Sequence, residues 1–118
     1  MAIKRIVANI AAQDIEAVRA FYVALFELDV VMEFDWISTL ANGNTAPVQL
    51  SIASEGGSGT SLPGLSIEVE DVDALYTRAK ELGMSVEYEL TDEPWGVRRF
   101  YLRDPAGTLL NILSHGAG

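Results

Sequence analysis

The chain has 118 residues, enough for one domain with a real core, and its 49% apolar and 21% charged content is ordinary globular usage. It has no cysteine, which excludes disulfides, thiolate metal sites and cysteine nucleophiles. With 17 acidic residues against 8 basic ones the net charge is −9, which opposes binding to nucleic-acid phosphates and favours neutral or cationic partners.

Residues 3–11 place Ile6, Ala8 and Ile10 on one face and Val7, Asn9 and Ala11 on the other, the two-residue period of a strand. This opening reads as strand rather than signal peptide, and no apolar run reaches the ~20 residues of a membrane helix, so a cytoplasmic protein that meets no membrane is expected. Asp14 stands where a helix N-cap belongs, with Glu16 in the first turn. Ile15, Val18, Phe21, Tyr22 and Leu25 follow as one apolar stripe, predicting a helix that ends near Glu27. Residues 29–35 and 36–41 read as two strands, Asn42-Gly43-Asn44 as a hairpin turn, and residues 47–53 as a fourth strand. Residues 54–64, SEGGSGTSLPG, are the one low-complexity stretch, and their glycine and serine predict a flexible link.

The pattern then starts again. In LSIEVE (65–70), Leu65, Ile67 and Val69 should face a core and Ser66 and Glu68 the other side. Asp71 caps a helix with Val72, Leu75, Tyr76, Ala79 and Leu82 on one stripe, ended by Gly83. Residues 84–90, 97–103 and 108–114 read as strands, and Asp104-Pro105-Ala106-Gly107 fits a type I turn. The tail from His115 should fray. Arg98, Arg99 and Arg103, with Lys80 nearer the helix, predict a local positive patch.

The order of elements thus repeats. The helix starts QDIEAV and EDVDAL correspond, as do the closing strands QLSI and LLNI. Two copies are too few for a solenoid. They predict an α+β fold, one domain over residues 1–118 made of two βαβββ modules, about 1–54 and 64–115, joined by 54–64. Each helix covers the outer face of its sheet. Two such sheets side by side curl into a half-barrel whose concave face is a ligand site.

The stretches DIEAVRAFYVALFELDV (14–30) and EPWGVRRFYLRDPAGTLLNIL (93–113), within this element order, resemble the vicinal oxygen chelate superfamily. That group holds glyoxalase I, extradiol dioxygenases and bleomycin resistance proteins, and the PWG and LRDPAG segments are most similar to the bleomycin-resistance-like members. The resemblance implies a concave cup in which the enzymes hold a divalent metal with His, Gln or Glu on the first, fourth, fifth and last strands. Carried over, those positions fall on Val7, on Gln49 or Ser51, on Gly64 or Leu65, and on Asn111. Gln49 offers a carbonyl and Asn111 an amide, but a stable site needs three or four donors, and the single His115 lies in the tail. The resemblance therefore points to the metal-free, cofactor-free branch that binds an intact molecule.

Trp95, between Pro94 and Gly96, reads either as a cleft-rim aromatic that stacks on a ligand or as a loop packed on its own sheet. Trp36 reads as a ligand contact or as hairpin packing. Asn9, Ser51, Glu68 and Asn111 all project to the face opposite the helices, where they serve a ligand or one another. Glu68 is the one candidate general base and, with Gln49 and Asn111, one of three weak metal donors. Arg99 and Tyr101 share a face of their strand. Arg99 either holds an anionic ligand group or pairs with Glu87 or Glu89. The function this predicts is metal-independent sequestration of an aromatic, and by charge a cationic, compound of the antibiotic-resistance type. The alternative is a metal-dependent lyase, isomerase or dioxygenase of the same superfamily with an atypical ligand set. The expected assembly is a homodimer, with modules exchangeable between chains through the 54–64 link.

Overall fold

The computed structural model describes residues 8, 10–34, 36–41 and 51–115. In chain order these form α1 (Ile15–Phe26), β1 (Asp29–Phe34), β2 (Ile37–Ala41), β3 (Leu65–Glu68), α2 (Val72–Glu81), β4 (Val86–Asp92), β5 (Val97–Arg103) and β6 (Leu109–His115). The strand expected at 3–11 and the turn at 42–44 lie outside the described residues, apart from 8, 10 and 11, which are not strand. Residues 51–53 of the expected fourth strand are exposed and irregular, and the rest of it is not described.

Both helices start as their sequences require. Asp14 Oδ1 accepts the Ala17 N–H at 3.1 Å, and Asp71 Oδ1 accepts that of Ala74 at 3.1 Å. Glu27 closes α1 in a left-handed conformation, its N–H returned to the Val23 carbonyl. Val18, Tyr22 and Leu25 of α1 and Val72 and Ala79 of α2 are buried as their stripes predict. Leu82 is not; it caps α2 and is 46% exposed.

The second module is complete as βαβββ. Its sheet runs β3-β6-β5-β4, with β3 parallel to β6 and the other pairs antiparallel. Phe100, Leu102, Leu110 and Ile112 are fully buried on the face that α2 covers, where Tyr76 meets Phe100 edge to face at 5.1 Å. Of the first module, α1 and the β1-β2 hairpin are described. Glu33 of β1 is paired with Arg19 of α1, so the neighbouring Phe34, with Ile37 opposite it, lies on the face away from the helix. The architecture is mixed α+β, a curved and unclosed sheet with helices on the outside.

Hydrogen bonds tie the modules together. Tyr22 Oη of α1 donates to Asp104 Oδ2 in the β5-β6 turn at 2.7 Å, and Arg78 Nε of α2 donates to the Ala24 carbonyl at 2.9 Å. Asp104 also holds its own turn, accepting at Oδ1 from the N–H groups of Ala106 (2.9 Å) and Thr108 (2.8 Å). The turn sequence is thus structural, as read. Strand β6 continues through His115, which pairs with Val97, so the expected fraying does not begin there.

Candidate functional site

Alternation along the second sheet sends Arg99 and Tyr101 of β5, Asn111 of β6 and Ser66 and Glu68 of β3 to the face opposite α2. Tyr101 is paired with Asn111, and Asn111 with Ser66, whose Oγ accepts from Asn111 Nδ2 at 3.1 Å. Asn111 Oδ1 is buried with no hydrogen-bond partner among the described residues. The sequence reading of this face is correct in direction, and Arg99, Tyr101, Asn111 and Trp95 come together on it.

Arg99 is its hub. Its side chain is 4% exposed and bonds Glu93 Oε2 at 2.8 Å, with Glu93 itself 2% exposed. Neither Glu87 nor Glu89, the acids expected for it, is its partner. Glu87 is held by Arg103, and Glu89 by Tyr76 and Lys80. The guanidinium carbon lies 5.4, 5.1 and 4.9 Å from the rings of Tyr88, Trp95 and Tyr101. Glu93 Oε1 accepts from Tyr88 Oη at 3.0 Å. Tyr88 and Glu93 were not singled out in the sequence. The signal for Glu93 was its place directly before Pro94-Trp95-Gly96, the segment that carries the resemblance.

The expected flexible link contributes the remaining wall. Arg99 Nη1 donates to the Gly56 carbonyl at 2.7 Å and Nη2 to that of Gly57 at 3.3 Å. Ser58 Oγ donates to Glu93 Oε2 at 2.9 Å, and Tyr101 Oη lies 2.8 Å from Thr60 Oγ1. The glycines make this approach possible. A Cβ on Gly56 would stand 2.7 Å from Tyr101 Oη, and one on Gly57 2.8 Å from the Trp95 ring. Composition suggested flexibility, whereas the same residues let the backbone lie flat against side chains.

The other expected site residues lie apart from this cluster. Trp36 stands at the β1-β2 turn, 75% exposed. Ser51 is exposed in irregular chain. Glu68 is on the predicted face and open to solvent among the described residues, its Oε2 2.8 Å from His115 Nδ1. Asn9, Gln49 and Val7 lie outside the described residues. The expected positive patch is not formed. Arg98 pairs with Asp73 and Asp92, Arg99 with Glu93, Arg103 with Glu87 and Lys80 with Glu89. The bonds from Arg98 and Arg103 hold Asp73 and Glu87 below the usual carboxylate range.

Among the described residues, a metal of the superfamily's kind finds too few donors. Gly64 and Leu65 carry no donor side chain, and Asn111 offers one amide oxygen, its nitrogen being bonded to Ser66. Among the described residues no three His, Cys, Asp or Glu side chains converge. An open groove of about 1010 Å³ lies elsewhere, along the seam between α1 and α2, with Leu25, Phe26 and Leu75 among its apolar lining and Glu27, Glu70 and Glu81 among its carboxylates.

The model of the Glyoxalase/Bleomycin resistance protein/Dioxygenase superfamily matches residues 2–112. Solved structures share the fold at low identity. A member of that superfamily from Sphaerobacter thermophilus is 22% identical with a TM-score of 0.69, over 98% of both chains. TnmS3, an antibiotic binding protein from Streptomyces, is 21% identical with a TM-score of 0.68, over 98% of this chain and 97% of its own. A lactoylglutathione lyase from Agrobacterium tumefaciens is 21% identical with a TM-score of 0.65, over 96% and 92%. A search of curated proteins gives no significant match.

Proposed function

This chain belongs to the Glyoxalase/Bleomycin resistance protein/Dioxygenase superfamily, and from that membership we propose that it is a metal-independent protein that binds an aromatic compound on its concave face. The observation that carries the reading is the cluster on that face. Three aromatic rings gather around one guanidinium, and the outermost, Trp95, leaves 51% of its surface to solvent. A ring laid on Trp95 gains dispersion and stacking without disturbing the buried pair beneath it. The family's ligand positions at 64, 65 and 111 supply one side-chain donor between them, which supports binding without a metal. The net charge of −9 favours a cationic compound through the long-range field. TnmS3, described as antibiotic binding, shares the fold, which accords with a resistance role. The reading includes a homodimer in the cytoplasm.

Truncating Trp95 tests the reading. Trp95→Ala should weaken an aromatic ligand by about 1–3 kcal/mol, roughly 5- to 150-fold. The fold should lose less than the ~3–5 kcal/mol of a buried Trp→Ala change. Melting and ligand titration on the same variant decide it: a large drop in Tm with affinity unchanged would assign Trp95 to packing alone. The metal-dependent alternative rests on Asn111 Oδ1, a buried acceptor without a partner among the described residues. Calorimetry with zinc, nickel and manganese should show no tight one-to-one site. A stoichiometric site lost in Gln49→Ala or Asn111→Ala would favour the alternative.

A further inference from the structure

Arg99 already holds a ligand-like group, and its identity carries information. Nη1 and Nη2 grip two successive peptide carbonyls, Gly56 O and Gly57 O, which are neutral acceptors. The charge of Arg99 is matched by Glu93, and both side chains are out of water at 4% and 2% exposure. A carboxylate brought to the same place would stand beside Glu93 with its charge unmatched, and an ammonium group would face Arg99. Either costs desolvation that a neutral acceptor avoids.

The group that occupies this place is removable. Residues 56–60 belong to no strand or helix, and the contacts that hold them to the sheet face come from side chains. Ser58 has φ +53 between Gly57 at +85 and Gly59 at +75, so a non-glycine residue is kept in the left-handed region. That conformation is disfavoured for a residue with a side chain, which weakens the turn's hold on its place. Trp95 lies against Gly57 on one side and Arg99 on the other, so a flat ring entering beside Trp95 meets the turn first.

We propose that the 56–60 turn is an internal stand-in for the ligand, and that the ligand class is a planar aromatic with a neutral carbonyl at its inner end, which displaces Gly56 O and Gly57 O from Arg99. This rests on the concave face being the binding face. It refines the charge argument: the long-range field can favour a cationic outer end, while the end that reaches Arg99 is uncharged.

Three probes with one ring system separate the possibilities: acridone, neutral with a carbonyl; acridine-9-carboxylate, an anion; and 9-aminoacridine, a cation at neutral pH. Each is titrated against tryptophan fluorescence in the wild type, Gly57→Ala and Arg99→Lys. Acridone should bind at least about tenfold tighter than either charged probe. Gly57→Ala, with its Cβ against Trp95 and its positive φ, should speed amide exchange at 56–60 and tighten acridone about three- to tenfold, because the competitor is weakened. Arg99→Lys keeps the charge facing Glu93 but loses the fork, and should erase the preference for acridone. If a charged probe binds as tightly as acridone, or if the turn is released with acridone affinity unchanged, the proposal is overturned while binding on this face stands. If no probe binds any of the three proteins, both fall together.

Discussion

Tyr22 carries more of this structure than its place in an apolar stripe suggests. Its hydroxyl donates to Asp104 inside the protein, and Asp104 in turn holds the β5-β6 turn. Burial, with the Asp104 hydrogen bond and charge behind it, pushes the phenol above its ordinary value of 10.0. A raised folded pKa means that the stability from this bond is complete below the unfolded pKa and is lost as pH rises past it. Tyr22→Phe leaves Asp104 Oδ2 without its buried donor and should cost about 1–3 kcal/mol near neutral pH. Urea melts at pH 7 and above pH 10 check both parts: the gap between wild type and variant should narrow at the alkaline end. A gap that is constant with pH would mean that the hydroxyl does not titrate with folding.

The helices and the second sheet were legible because their signals are local. Asp14 and Asp71 occupy caps whose geometry depends on the next three residues only. Asp71→Ala should therefore destabilise by about 1 kcal/mol, read as a lower urea midpoint with an unchanged m-value. Alternation in 97–103 and 108–114 likewise puts Arg99, Tyr101 and Asn111 on the face that the strand pairing gives them. What alternation cannot say is what lies above that face. The partner of Arg99 is six residues away past a turn, and its carbonyl acceptors are more than forty residues back in the chain. The glycine-serine stretch hid its role because flexible segments and segments that press backbone onto side chains need the same residue, for lack of a Cβ. Trp36 stands at a hairpin tip, 75% exposed, a direction that strand boundaries do not reveal.

At the scale of the whole molecule, the Tyr22–Asp104 and Arg78–Ala24 bonds cross from one module to the other, so the halves should melt together. Far-ultraviolet circular dichroism and tryptophan emission should give coincident urea transitions, since Trp36 belongs to the first module and Trp95 to the second. Two separated transitions would contradict this. The β1 strand exposes Val30, Val31, Met32 and Phe34, between 42% and 60% each, with Trp36 beyond them. An apolar stretch of this kind supports the proposed homodimer, for which light scattering at tens of micromolar should give twice the chain mass. A monomer mass would contradict it. The sheet faces turned away from the helices are also unequal in what they let change. On β5 and β6, Arg99, Tyr101 and Asn111 are buried in a charge-balanced cluster, where most replacements strand a partner. On the hairpin, Phe34 and Ile37 face away from α1 and are only partly covered, so exchanging one apolar side chain for another there disturbs little. Substitutions would thus accumulate on the hairpin of the first module sooner than on β5 and β6.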